Sequence, residues 1–354
     1  MITPPPTPEE QLQFLYNIQR LFAQGRFTAS YKYALLQSIA DLCVMHGDDS
    51  GDSLEIKLDD IAEQFIHLYW QQCRPFYPHQ TSQGFILRQN TSGQAAVVTH
   101  ILTSQRELHL SAFKLKYDYP KDWVRLKRNV RTVVSRQPLW KLQVVSNDTN
   151  EFLYDDFTDT SHDSIRLKSG VAYCFRAFHS ILTDMTRGAW LRFVQTTNTQ
   201  SLGNSTDLGE FLFNWQRIPL DKFKLILRDH QETRCFYCHK MVKSKGEVDH
   251  FIPFSQSPTH LGHNYVFTHK SCNLDKFDFL AAHQHLHEWA QRNLHHGDEL
   301  TDLFNEQNLP NNLPVTRNIT NWAYCQAEST KAELWLRKRR VMETIQPSWR
   351  EVLV

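Results

Sequence analysis

Soft metal ligands occur in two closely spaced pairs near the middle of the second half of the chain. Cys235 and Cys238 form a C-x2-C pair, and His269 and Cys272 form an H-x2-C pair thirty residues later. Two such pairs can place four ligands at the corners of a tetrahedron, which is the coordination of structural Zn²⁺. Four protein ligands leave no open position on the metal, so we expect this zinc to hold the fold and to take no part in chemistry. The alternative is a set of buried free thiols.

Hard oxygen donors lie between and beside these pairs. The stretch EVDHFIPFS alternates like a strand that ends at Asp249 and His250, NYVFTH reads as a second strand, and CNLDKFDFLAAH begins a helix that carries Asn273. A carboxylate and an amide oxygen suit Mg²⁺ or Mn²⁺. Because side chains alternate along a strand, His250 is expected to face away from Asp249 and can act as a base without being a ligand.

These residues carry a family resemblance. Asp249, His250, Asn264 and Asn273, followed by Lys276, resemble the HNH (ββα-metal) endonucleases, especially their zinc-stabilised branch. The intervals from the histidine to the first asparagine and from there to the second are similar to those in HNH domains of RNA-guided nucleases. The stretch VDHFIPFS also resembles the V-D-H-x-x-P-x-S signature of the family.

The resemblance covers roughly residues 231–285, a small share of the chain. It departs from the family pattern at His269, where a second C-x2-C pair is more usual. The ligand set becomes Cys3His, which zinc also accepts. The implied cofactors are therefore structural Zn²⁺ and a catalytic Mg²⁺ or Mn²⁺.

The resemblance implies a role for each matching residue. Asp249 and Asn273 would hold the catalytic ion, and His250 would be the general base that takes a proton from the attacking water. Asn264 would bond to the backbone of the motif loop and orient the histidine. Lys276, one helical turn after Asn273, would support the site or touch phosphate, with a purely structural lysine as the alternative.

Any nucleic-acid surface must come from local charge, because the 354 residues carry a formal net charge of only +1. Two basic segments stand out as phosphate-binding candidates, and a solvated helix face is the alternative interpretation of the first. The candidate residues are Lys121, Arg125, Arg128 and Arg131 in the first segment and Arg337, Lys338, Arg339 and Arg340 in the second. The acidic segment 146–164 between them is predicted to be a polar surface connection.

The elements around the motif read as mostly helical. Thr7, Pro8 and Glu10 predict a capped helix start, and STKAELWLRKRRVMETI predicts a last helix with Thr330 and Glu333 as its capping box. The predicted fold class is α+β and predominantly helical, with helical regions flanking a small ββα-metal HNH module that a structural zinc stabilises. The predicted divisions are an N-terminal helical domain (1–110), a largely helical middle region with the basic helix (111–230), the HNH module (231–285) and a C-terminal helical region (286–354).

The predicted function is metal-dependent hydrolysis of DNA phosphodiester bonds, with 5′-phosphate and 3′-hydroxyl products and nicking by a monomer. The alternatives are a catalytically inactive zinc-stabilised DNA-binding or scaffold protein and an RNA-cleaving HNH nuclease. Neither a signal peptide nor a membrane span is apparent, which predicts a cytoplasmic protein with double-stranded DNA as its partner. The broad layout resembles bacterial HNH proteins of restriction or phage-defence operons, which would supply any protein partners.

Overall fold

The computed structural model describes residues 3–78, 83–105, 110–146, 148–155, 162–202, 207–213, 218–243, 245–257 and 259–353. The chain separates into two compact units, the first unit Met1–Gln216 and the second unit Arg217–Val354. The four-part division of the sequence stays a prediction. The acidic segment 146–164 lies partly outside the described residues, at 147 and 156–161. None of the helices in the described ranges is long and apolar enough to cross a membrane.

The first unit is built mainly from helices. Its helices are α1 (Pro8–Gln24), α2 (Tyr31–His46), α3 (Leu58–Trp70), α4 (Ala96–Ser104), α5 (Ala112–Asp118), α6 (Pro120–Arg136), α7 (Pro138–Leu142), α8 (Val171–Ala177), α9 (His179–Thr197), α10 (Thr199–Leu202) and α11 (Leu208–Phe213). Two short antiparallel pairs join β1 (Glu55–Lys57) to β4 (Ser164–Arg166) and β2 (Val144–Val145) to β3 (Asp148–Thr149). The mostly helical fold class is confirmed.

The local signals at the first helix have the predicted form. The Thr7 side chain accepts a hydrogen bond from the backbone N–H of Glu10, and the Glu10 carboxylate accepts one from the backbone N–H of Thr7. This reciprocal pair satisfies two of the N–H groups that a helix start leaves without partners. Helix α2 is buried along nearly its whole length, so it forms the centre of the apolar core of the first unit.

The second unit contains a strand–strand–helix arrangement flanked by further helices. Its elements are α12 (Asp221–His230), β5 (Glu247–His250), β6 (Tyr265–Thr268), α13 (Lys270–Lys276), α14 (His283–His295), α15 (Gly297–Glu306), α16 (Leu313–Thr330), β7 (Glu333–Arg337) and β8 (Val341–Thr344). Strands β5 and β6 are antiparallel, with Asp249 opposite Val266 and His250 opposite Tyr265. The predicted ββα order of β5, β6 and α13 is present.

The last predicted helix is wrong beyond its first residues. Helix α16 ends at Thr330, and β7 and β8 then form an antiparallel hairpin, so Glu333 begins a strand and completes no capping box. The backbone N–H of the buried Trp335 donates to the Leu280 carbonyl at 2.8 Å, and its carbonyl accepts from the Ala282 N–H at 2.7 Å. Hydrogen bonding on both edges of β7 therefore stabilises the extended chain over the helix that local propensity favours.

Candidate functional site

The four soft ligands come together at the start of α13. The ligand atoms of Cys235, Cys238, His269 and Cys272 all lie within 4.8 Å of one another. The Cys238 Sγ is 3.4 Å from the Nδ1 of His269, and the backbone N–H of His269 donates to the Cys235 Sγ at 3.4 Å. A cluster of three thiol groups and one imidazole can hold a metal ion, and its donor chemistry fits Zn²⁺.

The imidazole of His269 is oriented for ligation by a second contact. Its Nε2 lies 3.3 Å from the Met241 carbonyl, which can only accept, so Nε2 carries the proton and Nδ1 turns a lone pair toward Cys238. His269 is also the residue immediately before α13, and Cys272 lies in the first turn. The hydrogen bond from the Cys272 thiol and the backbone N–H groups around Cys235 lower the pKa of Cys235 against the opposing effect of burial, which favours the thiolate that a metal needs.

Asp249 lies inside a buried group of polar side chains. Its Oδ2 accepts a hydrogen bond from the Tyr237 hydroxyl at 2.6 Å and is 3.2 Å from the Nζ of Lys276. Burial raises the pKa of Asp249, while the Lys276 charge and the two hydrogen bonds oppose the shift. The carboxylate is thus held in a fixed position by an ammonium and a phenol.

Lys276 cannot take one of the two roles predicted for it. Its side chain is fully buried, and its Nζ donates to the His250 carbonyl at 2.9 Å as well as contacting Asp249. The ammonium faces β5 and not the solvent, so a direct contact with a phosphate is excluded in this arrangement. Support of the site remains, because Lys276 joins α13 to both residues of the Asp-His dipeptide.

His250 faces the opposite side of β5, as the alternation of a strand requires. Its ring packs against the rings of Tyr265 at 4.8 Å and Phe254 at 5.4 Å, with His260 at 6.2 Å. Its Nε2 is buried and has no hydrogen-bond partner in the described part of the chain. Burial, together with the charges of His260 and Lys276, lowers the pKa of His250 to about 3, so the imidazole is neutral at pH 7.

Asn264 makes the backbone contact that the resemblance implies. Its Oδ1 accepts from the Ile252 N–H at 2.8 Å, and its Nδ2 donates to the Ile252 carbonyl at 3.0 Å. Its own carbonyl accepts from the Phe251 N–H at 2.8 Å. These three bonds fix the two residues that follow His250, whereas the catalytic role of the contact stays a prediction.

Asn273 meets a carboxylate that the sequence reading missed. Its Nδ2 donates to the Oε2 of Glu247 at 3.1 Å. Glu247 is two residues before Asp249 and therefore on the same face of β5, a spacing that could have revealed it. Tyr237, the partner of Asp249, was also missed, because its only signal was its position between Cys235 and Cys238. The oxygen donors on β5 and α13 fit a hard divalent ion by chemistry.

The two basic segments have different surroundings. In α6, Arg125 lies 2.8 Å from Asp122, Lys127 lies 3.1 Å from Asp59, and Arg131 contacts Asp59 and Asp163. Lys121 and Arg128 are exposed on the same helix. Acidic neighbours within the first unit therefore offset part of the positive charge of this segment.

The second basic segment ends β7 at Arg337 and forms the turn to β8 with residues 338–340, and Arg337, Lys338, Arg339 and Arg340 are all exposed. The Asp275 carboxylate of α13 accepts from the backbone N–H groups of Arg339 and Arg340 at 3.1 and 3.2 Å, and the Lys338 ammonium binds the Ser271 hydroxyl. These backbone bonds leave both guanidinium groups available beside the helix that carries Asn273.

Two family models match the chain. A model described as a domain of unknown function (DUF8808) covers residues 11–212, more than half of the chain, and a model described as HNH endonuclease covers residues 235–279. No curated protein and no solved structure matches at a significant level. The predicted resemblance is confirmed by the second match, which spans both ligand pairs and the Asp-His dipeptide. The chain belongs to the DUF8808 family and carries an HNH endonuclease domain in its second unit.

Proposed function

We propose that the second unit hydrolyses phosphodiester bonds of double-stranded DNA with a divalent metal ion. The observation that carries this proposal is the buried Nε2 of His250, which has no hydrogen-bond partner among the described residues and lies on the strand that presents Glu247 and Asp249 from its other face. A neutral imidazole with an open acceptor is the group that a water nucleophile needs. Zn²⁺ in the Cys3His cluster would hold the fold, and Mg²⁺ or Mn²⁺ would be the catalytic ion.

The protein residues divide the work around the scissile phosphate. His250 accepts the proton of the attacking water at Nε2, and Asn264 keeps the ring in place by fixing the loop after it. A phosphate beside the ring favours the imidazolium, so substrate itself raises the pKa of His250 from its low value. Asp249 and Asn273, with Glu247 as an added candidate, would hold the catalytic ion, which when bound stabilises charge on the phosphate and on the leaving 3′ oxygen.

The products follow from the direction of attack. Water adds to phosphorus as the bond to the 3′ oxygen breaks, which leaves a 5′-phosphate and a 3′-hydroxyl. Of the two Asp-His dipeptides in the described residues, Asp229-His230 ends helix α12, and only Asp249-His250 lies on a strand that is followed by an Asn-x2-Lys helix, so we assign one site to each chain, which addresses one strand at a time. We therefore expect a monomer to nick duplex DNA.

The test is a time course of supercoiled plasmid with dilute full-length protein in Mg²⁺, in Mn²⁺ and in EDTA. Open-circular DNA should appear first and only with metal, and His250→Ala should cut at least ~10²-fold more slowly because it lacks the base. His287→Ala, which removes an exposed imidazole of α14, is the matched control and should cut normally. Equal rates for wild type and His250→Ala would contradict the assigned base, and direct formation of linear DNA would contradict nicking by a monomer.

The alternatives are separated by the substrate. Binding without cleavage of any nucleic acid would identify a non-catalytic DNA-binding or scaffold protein, and cleavage of RNA in preference to DNA would identify an RNA nuclease. We also infer, from the layout alone, a role in bacterial restriction or phage defence in the cytoplasm. Expression of wild type, but not of His250→Ala, should then reduce phage plaque formation.

A further inference from the structure

A buried arginine outside the HNH match contacts the backbone of the site. Arg292 of α14 donates from one terminal nitrogen to the Tyr265 carbonyl at 2.7 Å and from the other to the His263 carbonyl at 2.6 Å. The second nitrogen also lies 3.1 Å from the Asn293 Oδ1. Among the described residues, Arg292 forms no ion pair with a carboxylate.

The two carbonyls that Arg292 binds flank Asn264. The Asn264 side chain in turn binds Ile252 through two hydrogen bonds, and its carbonyl binds Phe251. Arg292 is therefore connected to the residues that follow His250 by its bonds to the two neighbours of Asn264, by the backbone between them and by the bonds of Asn264. The Tyr265 ring, whose carbonyl is one of the two acceptors, also packs on the His250 ring at 4.8 Å.

One helical turn earlier, Trp289 contacts the same loop from the same helix face. Its Nε1 donates to the His263 carbonyl at 3.0 Å, and its ring stacks on the Phe251 ring at 5.2 Å with an interplanar angle of 9°. Helix α14 thus contacts both the segment that carries Asn264 and the segment that follows His250. Helix α14 itself lies outside residues 235–279, the range of the HNH match.

A buried guanidinium without an acidic partner loses hydration that no opposite charge compensates. Burial lowers the pKa of Arg292 to about 10, so the charge persists at neutral pH. An apolar side chain of similar volume would fill this space at lower cost. What only a guanidinium provides is a planar pair of donors that orients two carbonyls at once.

We propose that Arg292 is a positioning residue of the nuclease site, which fixes the carbonyls on either side of Asn264 so that Asn264 holds the loop behind His250. The role rests on the proposed nuclease function, but the hydrogen bonds that carry it are measurable without turnover. Arg292 is buried and its terminal nitrogens are bound to backbone carbonyls, so its loss should slow the chemical step and leave DNA affinity unchanged.

The test compares Arg292→Lys with Arg317→Lys in the full-length protein. A lysine keeps the charge but reaches only one carbonyl, so we expect kcat to fall between ~10- and ~100-fold with KM and zinc content unchanged. Arg317 of α16 makes a single 3.3 Å bond to the Asn293 carbonyl, and its lysine variant should cleave like wild type. In Arg292→Lys alone, the amides of Phe251 and Ile252 should exchange hydrogen faster.

Chemical rescue adds a readout that a general structural role would not give. Guanidinium ion at a non-denaturing concentration should restore part of kcat to Arg292→Ala, while ammonium ion should not. Full kcat and protected Phe251 and Ile252 amides in Arg292→Lys would overturn the positioning role while the nuclease stands. A wild-type protein that cleaves no nucleic acid would instead overturn the proposed function.

Discussion

Each unit buries an arginine that binds backbone carbonyls, and the two arginines differ in what compensates their charge. Arg176 of the first unit donates to the carbonyls of Val44 and Gly47 at the end of α2 and pairs with Asp49 at 2.9 Å. A helix C-terminus and a carboxylate both favour a cation, so this arginine stabilises the fold. Among the described residues Arg292 has no carboxylate partner, and the carbonyls that it binds lie at the end of the short 3-10 turn Gly262–Asn264, in the loop that supports His250.

The same contrast holds for the two units as wholes. One cluster of buried apolar residues extends through the first unit from Phe14 to Leu212. The second unit has buried apolar residues of its own, among them Phe223, Phe251 and Trp289. It also brings four soft ligands together beside β6 and α13 and buries Lys276 against Asp249. Apolar burial therefore stabilises both units, and the second unit adds a cluster that could hold a metal and a buried ion pair.

Removal of one ligand of the Cys3His cluster should give the largest difference in stability between the two units. Structural zinc contributes on the order of 10 kcal/mol to folding in such sites, so Cys238→Ser should lose the metal and unfold the region around α13. The zinc content measured by elemental analysis should fall from about one ion per chain. Amide hydrogen exchange should accelerate in the second unit while the first unit stays protected.

The matched control is Cys325→Ser, which removes a thiol of α16 that is not among the four ligands. It should keep its zinc, its fold and its activity. A zinc-free wild type that is folded and cleaves DNA would contradict the structural role of the metal. Unfolding of both units together in Cys238→Ser would contradict their separate sources of stability.

The second-largest expected difference between the units is the response of their stability to acid. Burial lowers the pKa of His263 to about 4; the charges of Arg292 and Arg317 act in the same direction, and the Gly297 carbonyl and Asp298 oppose them. Between pH 6.5 and 4 the unfolded chain binds a proton at His263 and the folded chain does not. The burial of neutral His263 therefore costs no stability above pH 6.5, and the free energy of unfolding falls by up to about 3 kcal/mol as the pH drops to 4.

His263→Gln should remove this part of the acid sensitivity of the second unit, because a glutamine amide can still donate to the Gly297 carbonyl without titrating. In the first unit, burial raises the pKa of Glu63, but His67 and Lys116 outweigh it and lower the value to about 2. The contribution of the ionised Glu63 to stability is therefore present above pH 4.5 and is lost only as the pH falls below that value. Hydrogen exchange resolved for each unit at pH 7, 5.5 and 4 measures the pH dependence of stability in both units. An unchanged pH dependence in His263→Gln would refute the role of His263 in the acid sensitivity of the second unit.

The smallest expected effect concerns the two basic segments. Each lost phosphate contact should flatten the dependence of log Kd on log salt by about 1. Replacing Lys338, Arg339 and Arg340 with alanine should reduce the slope by about 2 to 3, because these groups are exposed beside α13. The same replacement of Arg125, Arg128 and Arg131 should reduce it by about 1, since Asp122, Asp59 and Asp163 already pair with two of them.

Filter binding across a salt series gives both slopes, and sequence-independent weakening is expected in each case. An unchanged dependence of log Kd on log salt in the turn variant would show that the second segment is an ordinary solvated surface without phosphate contacts. A larger loss for the α6 variant than for the turn variant would reverse the comparison of the two segments.

The sequence predicted what short-range signals determine. The Thr7–Glu10 capping box, the order of β5, β6 and α13, and the grouping of the two ligand pairs all depend on residues within one turn, one strand or one repeated spacing. The HNH domain could be named from the same residues, because its signature is local.

Long-range contacts explain what the sequence reading missed. Trp335 forms a strand because residues 280–282 lie beside it, and nothing within the segment 329–345 indicates that neighbour. Lys276 reads as an exposed helix lysine until Asp249 and the His250 carbonyl surround it. Arg292 carries no local signal at all, because its acceptors are backbone carbonyls nearly thirty positions away.

The position of His269 and Cys272 around the start of α13 has a geometric consequence for the neighbouring Asn273. A helix turns by about 100° and rises about 1.5 Å per residue, so the two ligands together determine the rotational phase of the whole helix. With Cys272 held in the cluster, Asn273 is directed to the Glu247 side of β5 and Lys276 to Asp249. If the ligand were one residue earlier or later on the helix, both side chains would rotate away from the strand. The position of the Cys3His cluster therefore determines where Asn273 and Lys276 point.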